Sequence, residues 1–296
     1  MRAKQGIMNE DYDFIRCALM REPRGYNEMT GAILTSPVTN EADFGLLFID
    51  NSEYLDLCSH ATVGAATAAF ELGWVKSNKQ KITFDTIAGP VSVLVKYKDG
   101  KVFEATMRNV PSYSLGKVTI NLEGKSLSAD IAYSGNIFSI VNASNFDIPA
   151  TSKNVREWVE LGLKIRNQIN QSENFQNLTS GRSINVVEFS APPTIQSANF
   201  KSIVIFGEGQ VDREPCGTGT CAKMACLFRK GDLQVGDRFV QESIIGTLAS
   251  ARAVAITDFE GHKAIIVDVT YSAFITGLHQ FLIDEDDPMK EGYFIG

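Results

Sequence analysis

The chain repeats itself once, at an offset of 158 residues. The segment FGLLFIDNSEYLDLCSHATVGAATAAFELG (44–73) is matched in pattern by KSIVIFGEGQVDREPCGTGTCAKMACLFRKG (201–231). Phe48 stands ten residues before Cys58, and Gly73 stands fifteen after it. Phe206 and Gly231 keep the same distances from Cys216. Each copy reads as a buried strand, a polar loop, a cysteine, a helix of small residues and a glycine stop. A repeat of this length implies two similar domains rather than a solenoid of short units. A pseudo-two-fold between them would turn both cysteines towards one cleft, and domain interfaces are favoured ligand sites.

The remaining pattern supports an α+β class. Residues 10–20 (EDYDFIRCALM) carry Phe14, Ile15, Ala18 and Leu19 at helical spacing, and Glu22-Pro23-Arg24-Gly25 stops the helix. MTGAILTSP and FGLLFID read as strands. Residues 80–110 alternate as a meander, with Asp99-Gly100 as its hairpin turn. Further strands are expected from Gly116 to about Val141. Residues 153–170 form an amphipathic helix on Val155, Trp158, Val159, Ile165 and Ile169, with Ser152 as N-cap. Strands return at INVVEF and FKSIVIFGE, and the chain closes on TLASARAVAITD and HKAIIVDVTYSAFITG.

Composition excludes several functions. A net charge of −7, from 28 basic and 35 acidic residues without a Lys/Arg cluster, argues against nucleic acid as a partner. No apolar run approaches the roughly 20 residues that span a bilayer, so no membrane partner is expected. The start MRAKQGIMNEDYDF lacks the apolar core of a signal peptide, and a cytoplasmic location is expected. Five cysteines are an odd number for a disulfide set. They read as core residues, metal ligands or reactive thiols. No C-x-x-C pair occurs, so no metal is expected.

Each repeated cysteine sits where a loop becomes a helix. Free N–H groups and the helix dipole favour negative charge there, so the thiols are expected to be lowered towards neutrality. Gly217, Thr218 and Gly219 allow close backbone approach to a carboxylate. Asp212 and His60 lie in the adjoining loops, as partners for an amine or as tuners of the thiols. Two matched thiols on opposite faces of one carbon suit proton removal from one side and delivery to the other. Cys17, Cys221 and Cys226 read as core, and His262 and His279 as structural residues in strand-like stretches.

These residues, LCSHATVGAATAAFELG and VDREPCGTGTCAKMA, together with EPRGYNEM, EFSAPPT and SAFITG, resemble the proline racemase family over nearly the whole chain. The resemblance implies a diaminopimelate epimerase-like fold: two pseudo-symmetric domains, each a barrel-like, mostly antiparallel sheet around a central helix. It implies domains at 1–111 plus 273–296 and at 112–272, the first without the extra N-terminal strand usual in the family. It implies an isomerase that inverts Cα of proline or 4-hydroxyproline without pyridoxal phosphate or any other cofactor. Cys58 and Cys216 would be the base and acid. Ser59, His60, Gly217 and Thr218 would offer backbone N–H groups to the carboxylate, and His60 and Asp212 would address the ring nitrogen. Phe206 would line the ring, and a small cyclic amino acid would be the partner, with a homodimer as the assembly.

The sequence departs from the family at three points. Ser59 replaces the usual glycine, and Cys221 stands where serine is common. Thr30 falls where proline racemases carry a bulky aromatic, which leans towards a hydroxylated ring. The dehydratase branch replaces one catalytic cysteine, whereas both are present here. Alternatives are an amino-acid-binding or inactive relative, an epimerase of another amino acid, and a cysteine hydrolase.

Overall fold

The computed structural model describes residues 1–76 and 78–293. The chain divides into two compact units, Met1–Met107 with Tyr271–Gly296, and Arg108–Thr270. The first unit contains α1 (Arg2–Asp11), α2 (Asp13–Met20), β1 (Gly31–Thr35), β2 (Phe44–Ile49), β3 (Tyr54–Leu55), α3 (Ser59–Glu71), β4 (Lys81–Thr86) and β5 (Gly89–Lys98), with β6 (Lys101–Arg108) at its end. The second contains β7 (Tyr113–Leu122), β8 (Lys125–Tyr133), β9 (Ile137–Asn142), α4 (Val155–Gln171), α5 (Glu173–Thr179), β10 (Val186–Ala191), β11 (Phe200–Phe206), β12 (Gln210–Val211), α6 (Gly217–Lys230), β13 (Arg238–Glu242), β14 (Leu248–Phe259) and β15 (His262–Tyr271). This is the α+β class expected from the sequence.

The repeat extends to strand pairing. In the first unit β1 runs antiparallel to β2, β2 parallel to β4, and β4 antiparallel to β5. In the second, β10 runs antiparallel to β11, β11 parallel to β13, and β13 antiparallel to β14. The apolar runs FGLLFI and FKSIVIF are buried almost throughout, as residues covered on both faces must be. The loops that lead into them are held alike. At the end of β4, Asp85 accepts from the N–H groups of Val38 and Thr39 at 2.7 and 2.8 Å. At the end of β13, Glu242 accepts from those of Thr194 and Ile195 at 2.7 and 2.9 Å. Burial disfavours both carboxylates, yet these hydrogen bonds leave each below its ordinary pKa.

Local chemistry explains where the elements begin and end. Asp99 and Gly100 both have positive φ, 52° and 80°, in the two-residue turn between β5 and β6. Helix α6 ends at Gly231, whose φ of 84° supplies the left-handed C-terminal cap. The helix expected over 10–20 is α2, which starts at Asp13; residues 10 and 11 end the preceding α1, which the sequence pattern did not indicate. Asp13 restarts the chain as α2 and pairs with Arg16 at 2.7 Å. Helix α4 starts at Val155 after a 3₁₀ turn over Ser152–Asn154, so Asn154 and not Ser152 occupies the cap position. The last strand stops at Tyr271, which leaves SAFITG and His279 outside any strand. Among the described residues no helix is long and apolar enough to cross a membrane.

Helix α4 buries Trp158, Gly162, Ile165 and Ile169 as one stripe of a 3.6-residue period. Gly162 is required by contact. A Cβ there would lie 2.9 Å from Cγ1 of Ile205 and 3.1 Å from its Cβ, on the strand that leads towards Cys216. Gly162→Ala is therefore expected to lose about 1–3 kcal/mol of stability, as overpacking does. Urea unfolding monitored by tryptophan fluorescence measures it. An unchanged midpoint would contradict the packing.

Candidate active site

Cys58 and Cys216 each occupy the cap position of a helix. Cys58 precedes α3 with extended φ/ψ of −135° and 116°, and Cys216 precedes α6 with −65° and 113°. Each carbonyl accepts two hydrogen bonds from a threonine four residues on. Thr62 donates to Cys58 O through N at 3.0 Å and Oγ1 at 2.7 Å. Thr220 donates to Cys216 O through N and Oγ1, both at 2.8 Å. Thr62 and Thr220 stand at the same offset of 158 residues and were legible in the sequence as a shared position.

In the first unit, Cys58 is buried and its Sγ lies 3.9 Å from Nδ1 of His60. Ser59 is buried, and its Oγ has no hydrogen-bond partner among the described residues. Asp50 shapes the loop before the cysteine by accepting from the N–H groups of Ser52 and Glu53 at 2.7 and 2.6 Å.

In the second unit, Cys216 Sγ accepts from the N–H of Gly219 at 3.4 Å and lies 3.7 Å from Oγ1 of Thr218. Phe206, Val204, Ile140, Ala222 and Cys226 form one apolar cluster with Cys216. Gly217 and Thr218 are buried in the first turn of α6. The turn is tied to the sheet where Ser134 Oγ donates to Thr218 O at 2.8 Å and Asn109 Nδ2 donates to Ser134 O at 3.1 Å. Cys221 and Cys226 are buried in α6 and Cys17 in α2, as expected of core residues. His262 stacks on Tyr113 at 4.4 Å.

The thiol expectation fails at Cys216. Burial pushes this thiol well up, and the Asp212 and Glu188 carboxyls beside it push it further. The Gly219 N–H works in the opposite direction and loses. A helix dipole is worth at most ~2 kcal/mol, whereas full burial of a charge shifts a pKa by up to ~3–5 units. Cys216 therefore rests as the neutral thiol, the proton-donating form.

Glu188 is the residue that sequence reading passed over, though it stands in the quoted EFSAPPT. It lies on β10, wholly buried, and neither carboxyl oxygen has a hydrogen-bond partner among the described residues. Burial raises its pKa to about 8, against an attractive Lys223 and with a repulsive Asp212. A charged residue inside an otherwise apolar strand pattern was the available signal.

The two cysteine-capped helices and the repeated strand pairing define an α+β protein built from a repeated half. The proline racemase family model matches residues 1–294, and the chain belongs to that family. It is 39% identical to the proline racemase of Clostridioides difficile, over all of this chain and 90% of the relative. It is 36% identical to the trans-3-hydroxy-L-proline dehydratase of Bacillus thuringiensis subsp. konkukian, over 97% of this chain and 87% of that one. The crystal structure of a hydroxyproline epimerase from Agrobacterium vitis, with bound trans-4-hydroxy-L-proline, superposes with a TM-score of 0.90 at 25% identity. That match covers 99% of this chain and 86% of the other. The chain is thus an amino-acid racemase or epimerase of the proline type.

Glu188 also links pH to stability. Its folded pKa lies above the 4.5 of an ordinary glutamate, so the folded state holds a proton that the unfolded state has released between those values. Stability from this group is present below about pH 4.5 and is lost as pH rises through about 8, by a few kcal/mol. Glu188→Gln should flatten the fall in unfolding free energy across that window, measured by urea melts from pH 5 to 8.5. An unaltered slope would show that the carboxyl is not the source.

Proposed function

We propose that this protein inverts Cα of proline or 4-hydroxyproline by two-base proton transfer between Cys58 and Cys216. The observation that carries the reading is the duplicated cysteine cap, with each carbonyl fixed by its own threonine. A duplicated half provides one acid–base group for each face of the substrate carbon. In one direction the Cys58 thiolate removes the Cα proton while the Cys216 thiol delivers a proton to the opposite face. Cys58 then holds the thiol and Cys216 the thiolate, and the reverse reaction starts from that state. The buried, neutral Cys216 fits the donor role first.

The carboxylate would take the first-turn N–H groups of α3 and α6, from Ser59, His60, Gly217 and Thr218. Such groups have no partner within their own helix and stabilise charge as it grows in the transition state. Asp212 and His60 would address the ring nitrogen, and Phe206 its apolar side. Thr30 leans towards a ring that carries a hydroxyl. The dehydratase relative raises water elimination as a second chemistry, and the presence of both cysteines favours epimerisation. No cofactor is required by this scheme.

In heavy water, L-proline and trans-4-hydroxy-L-proline are each incubated with the enzyme and analysed by chiral chromatography and mass spectrometry. Deuterium at Cα together with the inverted isomer is expected for at least one of them, with hydroxyproline the faster. Cys58→Ser and Cys216→Ser should each lower interconversion by at least about 10²-fold, the lower range for removal of an acid–base group. Full two-way turnover in either variant would refute the two-base assignment. Tight binding without exchange would make the protein an amino-acid binder.

A further inference from the structure

The two halves of the repeat are not chemically equal. Register identifies the matching positions. In β1 and β2, Leu34 pairs with Leu46, and in β10 and β11, Glu188 pairs with Val204. Leu46 and Val204 stand at the repeat offset, so Leu34 and Glu188 are counterparts. On the helices the same offset matches Ala61 with Gly219. The first half thus carries a leucine and an alanine where the second carries a glutamate and a glycine.

The two substitutions are coupled by space. A Cβ built on Gly219 would collide with Glu188 Oε2 and would lie 3.2 Å from both Cβ and Sγ of Cys216. The carboxyl and the thiol therefore flank the same small volume behind the first turn of α6. The N–H that reaches Cys216 Sγ belongs to Gly219 itself. A wholly buried carboxyl with no hydrogen-bond partner at either oxygen is costly to keep. A leucine, as at position 34, would fill a strand interior without that cost.

We propose that Glu188 is a positioning residue for Cys216: while its carboxyl carries a proton the sulfur is free to alternate between thiol and thiolate, and its ionisation blocks the thiolate. The proton that Glu188 releases goes to solvent. The anion that remains repels a second negative charge at Sγ. The charged and titratable groups facing Glu188 are Lys223 and Cys221 on α6, Cys216 at its start, and Asp212 in the preceding loop. Its strand neighbours across β9 and β11, Ile140 and Val204, are apolar. Burial raises the Glu188 pKa to about 8, with Lys223 favouring the anion and Asp212 opposing it. At the matching place in the first half, on β1, stands Leu34, so that position offers Cys58 no carboxyl.

The inference rests on the two-base reading for its meaning in catalysis, but its test does not need a substrate. Cys58 and Cys216 are alkylated with iodoacetamide, and each peptide is quantified by mass spectrometry between pH 6.5 and 9.5. In Glu188→Gln, Cys216 should react about ten-fold faster than wild type at pH 9.5, a one-unit change in thiol ionisation, and equally at pH 6.5. Cys58 should react alike in both proteins at every pH. A Cys216 rate that is unchanged, or a Cys58 rate that rises in parallel, overturns the proposal. The double variant E188L/G219A installs the pair of the first half and should give the same acceleration, which keeps the test valid if the amide alone is not tolerated.

Racemisation supplies the second reading. A purely structural role would lower kcat/KM at all pH values without displacing its alkaline limb. The proposal expects that limb, set near pH 8 in wild type, to move upward in Glu188→Gln while turnover at pH 7 stays within a few-fold. A limb at the same pH in the variant overturns the proposal even if both proteins are active. Full turnover in Cys216→Ser overturns the two-base reading and leaves the alkylation result standing on its own.

Discussion

Everything the second unit offers for chemistry depends on how Cys216 begins α6. Its carbonyl accepts two hydrogen bonds from Thr220, and its sulfur accepts one from Gly219. The bond from Gly219 satisfies one of the N–H groups that an unaided helix start leaves open. Together these bonds also fix the direction of the Cα–Cβ bond, so the thiol is a rigid part of the cap and not a mobile side chain. Cys58 is anchored the same way through Thr62, although its sulfur caps no N–H of the helix and lies near the imidazole of His60 in the first turn. The shared anchoring accounts for the equal spacing of the two cysteines. The different sulfur contacts show where the halves have diverged.

That divergence has an electrostatic consequence. At Cys216 the helix dipole and one N–H compete with burial in an apolar cluster and with two nearby carboxyls, and burial wins. A thiolate forms at such a site only when positive charge arrives or negative charge withdraws. Under the proposed mechanism the ring nitrogen of an amino acid would bring the first, and protonation of Glu188 ensures the second. The acid–base balance then belongs to the pair of groups together, because sites that interact this strongly titrate as a unit. A symmetric scheme of two equal thiols is too simple for this chain.

How much of this could be read beforehand varied with the kind of signal. Small-residue helices after Cys58 and Cys216, closed at Gly73 and Gly231, follow from composition and glycine placement, and both helices were found. The Asp99-Gly100 turn follows from the conformations that those residues permit. The start of α2 at Asp13 was missed because Arg16 pairs locally with Asp13 and also donates to Asp50 O in the loop after β2, a contact that periodicity does not encode. Ser152 looked like a cap, yet the chain spends that residue on a 3₁₀ turn. The thiol pKa was misjudged because a dipole is local and visible in sequence, whereas burial depends on strands far along the chain.

The Gly-Thr-Gly run after Cys216 shows the same limit most plainly. A glycine-rich turn beside a helix start is readily taken as a cradle for an anionic ligand, since its N–H groups lie bare. Gly217 fits that account, being the first residue of the helix. Gly219 has helical geometry that alanine would adopt at lower entropic cost, as Ala61 does at the matching position of α3. A side chain at 219 would displace the Glu188 carboxyl from the strand behind. The second glycine of the motif is thus explained by a buried acid behind the helix. A substitution at Gly219 would report on Glu188 before it reported on any ligand.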